Sequence, residues 1–138
     1  MKKKADPRHK KRVQSVKLLF EKSFRKDIKL KEGSVPLQVL SEKTKIDKLI
    51  KKFASNWPID QISGIDLAIL RLAIWEMMFE NPRQPEKVII DEAVEIAKEY
   101  GNESSAGFVN GVLGTIISRG NYISERSEAA LFSKKKYQ

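Results

Sequence analysis

The segment Ser63–Phe79, SGIDLAILRLAIWEMMF, is apolar on nearly every side of the helix it would form. A surface helix keeps one polar face, whereas a helix apolar all round has to be packed from several directions. The segment therefore predicts a central helix around which the rest of the chain is arranged. It carries Asp66, Arg71 and Glu76 and is too short and too charged to cross a bilayer.

Downstream, ENPRQP at 80–85 reads as a turn, with Pro85 able to occupy the first position of the next helix, EKVIIDEAVEIAKEYG. Ile89, Ala93, Ala97 and Tyr100 form one i, i+4 stripe on that helix, and Gly101 is a natural residue to follow its end. Asn102 or Ser104 can cap a last helix, SSAGFVNGVLGTI at 104–116. At about 100° per residue, Gly107, Gly111, Gly114 and Ser118 share one smooth face beside Asn110. Phe108, Val109, Val112, Leu113, Ile116 and Ile117 fill the opposite, apolar arc. Interior glycines cost a helix about 0.5–1 kcal/mol each against alanine. Either close packing by another helix or close approach of a ligand backbone could favour such a face, and packing is the usual reason.

Upstream, Val13, Val16, Phe20 and Phe24 recur at helical spacing and predict a first helix from about Arg8 to Phe24. Its opening turns hold His9, Lys10, Lys11, Arg12 and Lys17, although cations at a helix N-terminus oppose the helix dipole. A bound anion would account for them. Residues 25–35 read as a loop, and Ser34 with Pro36 marks another helix start. The stripe Val39, Leu40, Ile46, Leu49, Ile50 and Phe53 then continues to Trp57, as one long helix or two, with lysines covering its other faces.

The 138 residues suffice for one domain or two packed subdomains. The net charge of +9 is unevenly placed: residues 1–57 hold 18 Lys/Arg against 6 Asp/Glu, and residues 58–138 hold 9 against 12. Such asymmetry favours a polyanionic partner, nucleic acid being the simplest, over a merely solvated lysine surface. No cysteine is present for a disulfide or thiolate site, and the basic start MKKKADP lacks the apolar run of a signal peptide. A cytoplasmic location is the expectation.

The residues argue against an enzyme. No phosphate-binding glycine loop or nucleophile elbow is present, and the single histidine, His9, reads as a flexible surface residue. Asp91, Glu95 and Glu99 share a helix face and could hold a divalent cation, but a solvated face is the simpler reading. No cofactor is expected. Arg71, mid-helix among apolar residues, needs either an external anion or an internal carboxylate such as Glu76 or Glu92.

From about Trp57 to Ile117, the runs GIDLAILRLAIWEMMF and PEKVIIDEAVEIAKEYGNESSAGFVNGVLGTI resemble the NusB family of transcription antitermination factors. HKKRVQSVKLLFEKSF more loosely resembles that family's arginine-rich first helix. The resemblance implies an all-α fold of two small helix bundles packed together, without catalysis. Residues 1–57 would form a basic, shortened N-terminal helical subdomain, 58–120 a C-terminal helical subdomain, and 121–138 a C-terminal extension.

It further implies binding of single-stranded boxA-type rRNA leader sequences together with NusE, a small ribosomal protein, within an RNA polymerase antitermination complex and without a membrane. The RNA contacts would be Lys10, Lys11, Arg12, Arg71, Lys87, Ser104, Phe108 and Asn110. The NusE-facing residues would be Phe20, Asp60, Asp66 and Glu76. Gly107 stands where a larger polar or basic residue is common, and Gly114 replaces a frequent aspartate. A second reading is a detached NusB-like module of an rRNA cytosine methyltransferase, although those modules tend toward V-N-A-V-L-R. A third is a protein-binding helical adaptor whose lysines serve solubility.

Overall fold

A computed structural model describes residues 6–54 and 58–119. These form six helices and no strand: α1 Pro7–Phe24, α2 Val35–Ser41, α3 Lys43–Phe53, α4 Gly64–Met78, α5 Glu86–Tyr100 and α6 Ser105–Arg119. A 3-10 turn, Ile59–Gln61, precedes α4. The extension 121–138 and Trp57 lie outside the described residues.

α4 is the central helix its apolar pattern requires. Ser63 Oγ caps it by accepting from the Asp66 amide at 3.2 Å, and the Asp66 carboxylate in the first turn suits the positive end of the dipole. From Ala68 to Met78 every residue except Arg71 is buried. All five other helices pack against α4. Their apolar faces join it in one contiguous core that runs from Val16 and Leu19 in α1, through Ile46 and Ile50 in α3, to Leu113 and Ile116 in α6.

The stretch between the loop and Trp57 resolves into two helices, because the backbone at Glu42 (φ −108°, ψ 15°) leaves the helical path. Pro85 is the cap of α5 rather than its first residue, and the preceding turn contains a cis Asn81–Pro82 peptide. Gly101 is extended, not left-handed (φ −92°). The reason for glycine there is space, since a Cβ would collide with the Ser105 side chain. Ser105, fully buried, accepts from the Asn102 amide at 2.9 Å and so closes the α5–α6 corner.

In α1 the predicted stripe is rotated. Val16 and Leu19 point into the core, whereas Phe20 and Phe24 are 36% and 60% exposed. Their rings meet edge to face at 5.1 Å. Leu19 displaces them because it faces α4 together with Val16, three residues away on the same side of the helix.

Candidate nucleic-acid interface

α1 begins at Pro7, with Asp6 capping it by accepting from the Arg8 amide at 2.9 Å. The helix then splits its cations by geometry. Arg12 turns inward, while Arg8, Lys10, Lys11 and Lys17 stay exposed. The Arg12 guanidinium grips Glu76 of α4 through Nε (3.1 and 3.0 Å) and Nη2 (2.8 Å), and Nη1 lies 3.5 Å from Glu92 of α5. Burial disfavours the charged guanidinium, but the hydrogen bonds and charge of Glu76, with Glu92 and Glu80, outweigh it and raise the Arg12 pKa.

His9 is no surface residue. It is 5% exposed, and its Nδ1 lies 2.8 Å from Glu92 Oε1. One turn of α1 therefore places a histidine and an arginine over two buried carboxylates and ties α1 to α4 and α5. Part of the cation excess at this helix start thus has an internal explanation. The exposed remainder does not.

Those exposed cations border two grooves. One, of about 410 Å³, runs between α1 and the end of α5, lined by Lys10, Val13, Gln14, Lys17, Glu99 and Tyr100. The Lys17 ammonium stands 4.9 Å from the centre of the Tyr100 ring, which is itself 37% exposed. The other, of about 240 Å³, lies between α1 and α4, with Arg8, Lys11, Trp75, Glu80 and Gln84 around it. Cations beside an accessible aromatic face are what a single-stranded nucleic acid uses, phosphates taking the charge and a base the ring.

The remaining candidates are dispersed. Arg71 makes a bidentate pair with Asp47 of α3, both bonds 2.9 Å, so its internal partner is neither Glu76 nor Glu92. Lys87 is exposed and 3.5 Å from Asp91 one turn on. Ser104 donates from its amide and hydroxyl to Asn102 Oδ1, each at 2.8 Å, which organises the start of α6. Phe108 is half-buried against the core, and Asn110 is exposed. Neither lines the two α1 grooves.

Gly107 and Gly111 are exposed, and a Cβ on either would meet nothing within 4 Å. Among the described residues, then, no helix packs on that face at Gly107 or Gly111. Only Gly114 touches a neighbour, Ile90, at 4.0 Å.

Of the partner-facing set, Phe20 lies over Gly64, whose Cβ would come within 2.8 Å of its ring. Asp60 is exposed, and Asp66 is buried with Oδ1 lacking a hydrogen-bond partner among the described residues. Glu76 is 4% exposed beneath α1, so its carboxylate faces Arg12.

The periodic reading missed Arg8, Gln14, Trp75 and Tyr100 as groove residues. Tyr100 continues the buried stripe of Ile89, Ala93 and Ala97, but it is the last residue of α5, where the stripe runs out past the core. Asp47 carried a legible signal, being the lone acid among the lysines of α3. Among the described residues no group of three or more His, Cys, Asp or Glu could hold a metal ion. No helix among them is long and apolar enough to cross a membrane.

Comparison with known proteins places these features in context. The model of the NusB family matches residues 34–118. A protein of Chloroflexus aggregans named transcription antitermination protein NusB is 46% identical over 82 residues, covering 59% of this chain and 53% of its own length. One from Roseiflexus with the same name is 52% identical over 75 residues, covering 54% and 53%. The chain thus spans about half the length of the curated relatives it matches. The solved structure of T. maritima NusB superposes with a TM-score of 0.74 at 33% identity, covering 89% of this chain and 98% of that one.

Proposed function

The chain belongs to the NusB family, and from that premise we propose that it is a transcription antitermination factor that binds boxA-type single-stranded RNA of rRNA leaders. It does so with NusE, as part of an RNA polymerase antitermination complex, and performs no catalysis. The observation that carries this reading is the groove where exposed Lys10 and Lys17 border the 37% exposed ring of Tyr100, with the Lys17 ammonium over the ring. A solubilising lysine surface has no need of an aromatic floor; a strand of nucleotides uses both.

Within this reading Lys10, Lys11 and Lys87 meet phosphates, and Ser104, Phe108 and Asn110 offer a second contact at the start of α6. Arg12 and Arg71 act as positioning residues, because carboxylates already occupy their guanidinium forks. The NusE surface is Phe20 with Asp60 and Asp66. The unsatisfied Asp66 Oδ1, on the α4 turn where Phe20 rests, supports a donor arriving from a basic partner. Glu76 contributes only by holding Arg12.

Titration of boxA-type and scrambled RNA, with and without NusE, tests the assignment. With about five phosphates neutralised on a single strand, by Lys10, Lys11 and Lys87 together with Arg8 and Lys17 of the two grooves, log K should fall against log salt with a slope near −3.5. Equal affinity for the two RNAs, together with no gain from NusE, would refute it.

A further inference from the structure

We propose that the outer face of α3 is a second, sequence-independent RNA surface that binds the phosphate backbone outside the segment held at α1. The inference rests on the RNA-binding reading above. α3 carries five lysines, Lys43, Lys45, Lys48, Lys51 and Lys52, and all are exposed. Its apolar residues Ile46, Leu49, Ile50 and Phe53 face the core.

At about 100° per residue, Lys45, Lys48 and Lys52 form one row of about 10 Å along the flank of the core-facing arc, with Lys51 farther round on the side opposite the core. The lone acid of the helix, Asp47, is engaged bidentately by Arg71, so it does not offset these charges. None of Lys43, Lys45, Lys48 and Lys51 is in an ion pair among the described residues.

Like charges at i, i+3 and i, i+4 each cost a helix about 0.2–0.5 kcal/mol. Lys45–Lys48, Lys48–Lys51 and Lys48–Lys52 repeat that repulsion within two turns, and Lys43 and Lys45 also oppose the dipole at the helix start. The fold adds to the patch instead of diluting it. Arg119, at the end of α6, comes to 5.9 Å from the Phe53 ring, and the Lys52 ammonium lies 5.5 Å from the same ring. A cationic row ending at an aromatic ring flanked by two cations complements a polyanionic strand, and it leaves the α1 grooves free for a different stretch of the same RNA.

The test compares the intact chain with the triple variant Lys45→Gln/Lys48→Gln/Lys51→Gln on two RNAs. One is a short boxA-type oligonucleotide, and the other extends it on both sides with unrelated sequence. All three lysines are exposed and repel their neighbours on α3, so the variant should keep the parent's helical content and melt at the same temperature or a few degrees higher. On the longer RNA the salt slope should shrink by about 2 and the affinity drop about 100-fold at 0.1 M salt, whereas the short RNA should bind as before.

The charge-conserving Lys→Arg triple should restore binding to the longer RNA. An unchanged slope on the longer RNA, or an equal loss on both RNAs, would overturn the α3 surface while leaving the α1 site standing. Failure of the parent chain to bind either RNA would overturn both readings.

Discussion

Replacing Arg12 by alanine separates a positioning arginine from an RNA-contacting one. The guanidinium makes three close hydrogen-bond contacts to Glu76 and a longer one to Glu92, with side-chain exposures of 12%, 6% and 9% for the three residues. Removing it takes the guanidinium from the buried Glu76 carboxylate and from beside Glu92, which keeps its contact with His9. Breaking a buried ion pair from one side costs about 3–5 kcal/mol. For a chain of this length that corresponds to a drop in melting temperature of about 10–15 °C.

The pH dependence carries a sign. In the parent chain the raised Arg12 pKa keeps the guanidinium charged, so its stabilisation persists through neutral pH and is lost only in strong alkali.

Thermal melts followed by circular dichroism at neutral and strongly alkaline pH measure both effects: the variant's deficit should be full at neutral pH and shrink in strong alkali. A second variant, Arg12→Met/Glu76→Leu, removes both charges with apolar volume and should recover most of the loss, since such replacements are often neutral. If Arg12 acts by position, that double variant also recovers RNA binding. A single Arg12→Ala variant that melts like the parent yet binds RNA poorly would refute the reasoning and make Arg12 a direct contact.

Arg71→Ala should cost about 2–3 kcal/mol, less than the Arg12 change, because the Arg71–Asp47 pair is only partly buried. Urea unfolding measures this, and a midpoint equal to that of the parent would show the pair to be dispensable. Tyr100→Ala should weaken RNA binding by about 1–3 kcal/mol, the worth of one base stacked on an aromatic ring, with little change in melting temperature. Fluorescence titration reads it. Gly107→Ala and Gly111→Ala should each raise stability by about 0.5–1 kcal/mol, because the added Cβ meets open space in a helix. If either more stable variant binds RNA less tightly, the strand runs close against the smooth face of α6; unchanged affinity would make that face a bystander.

The periodicity of the chain determined a good deal. Its helix positions, the central place of α4, the corner at Gly101 and the basic character of the first half all follow from residue spacing, caps and charge. These are local properties, settled by residues three or four apart. Tertiary structure alone decided which charges face water. Lys10, Lys11 and Arg12 are consecutive and alike on paper. Yet Arg12 is drawn inward by Glu76 and Glu92, 64 and 80 residues away, while its neighbours remain exposed.

The same long-range pairing hides His9 behind Glu92 and joins Arg71 to Asp47. Tyr100 stays at the surface although it sits on a core stripe, because α5 ends there beyond the core. A buried charge needs an opposite charge at hydrogen-bonding distance, and which residue supplies it depends on how the helices meet around α4, a relation that no window of the sequence contains.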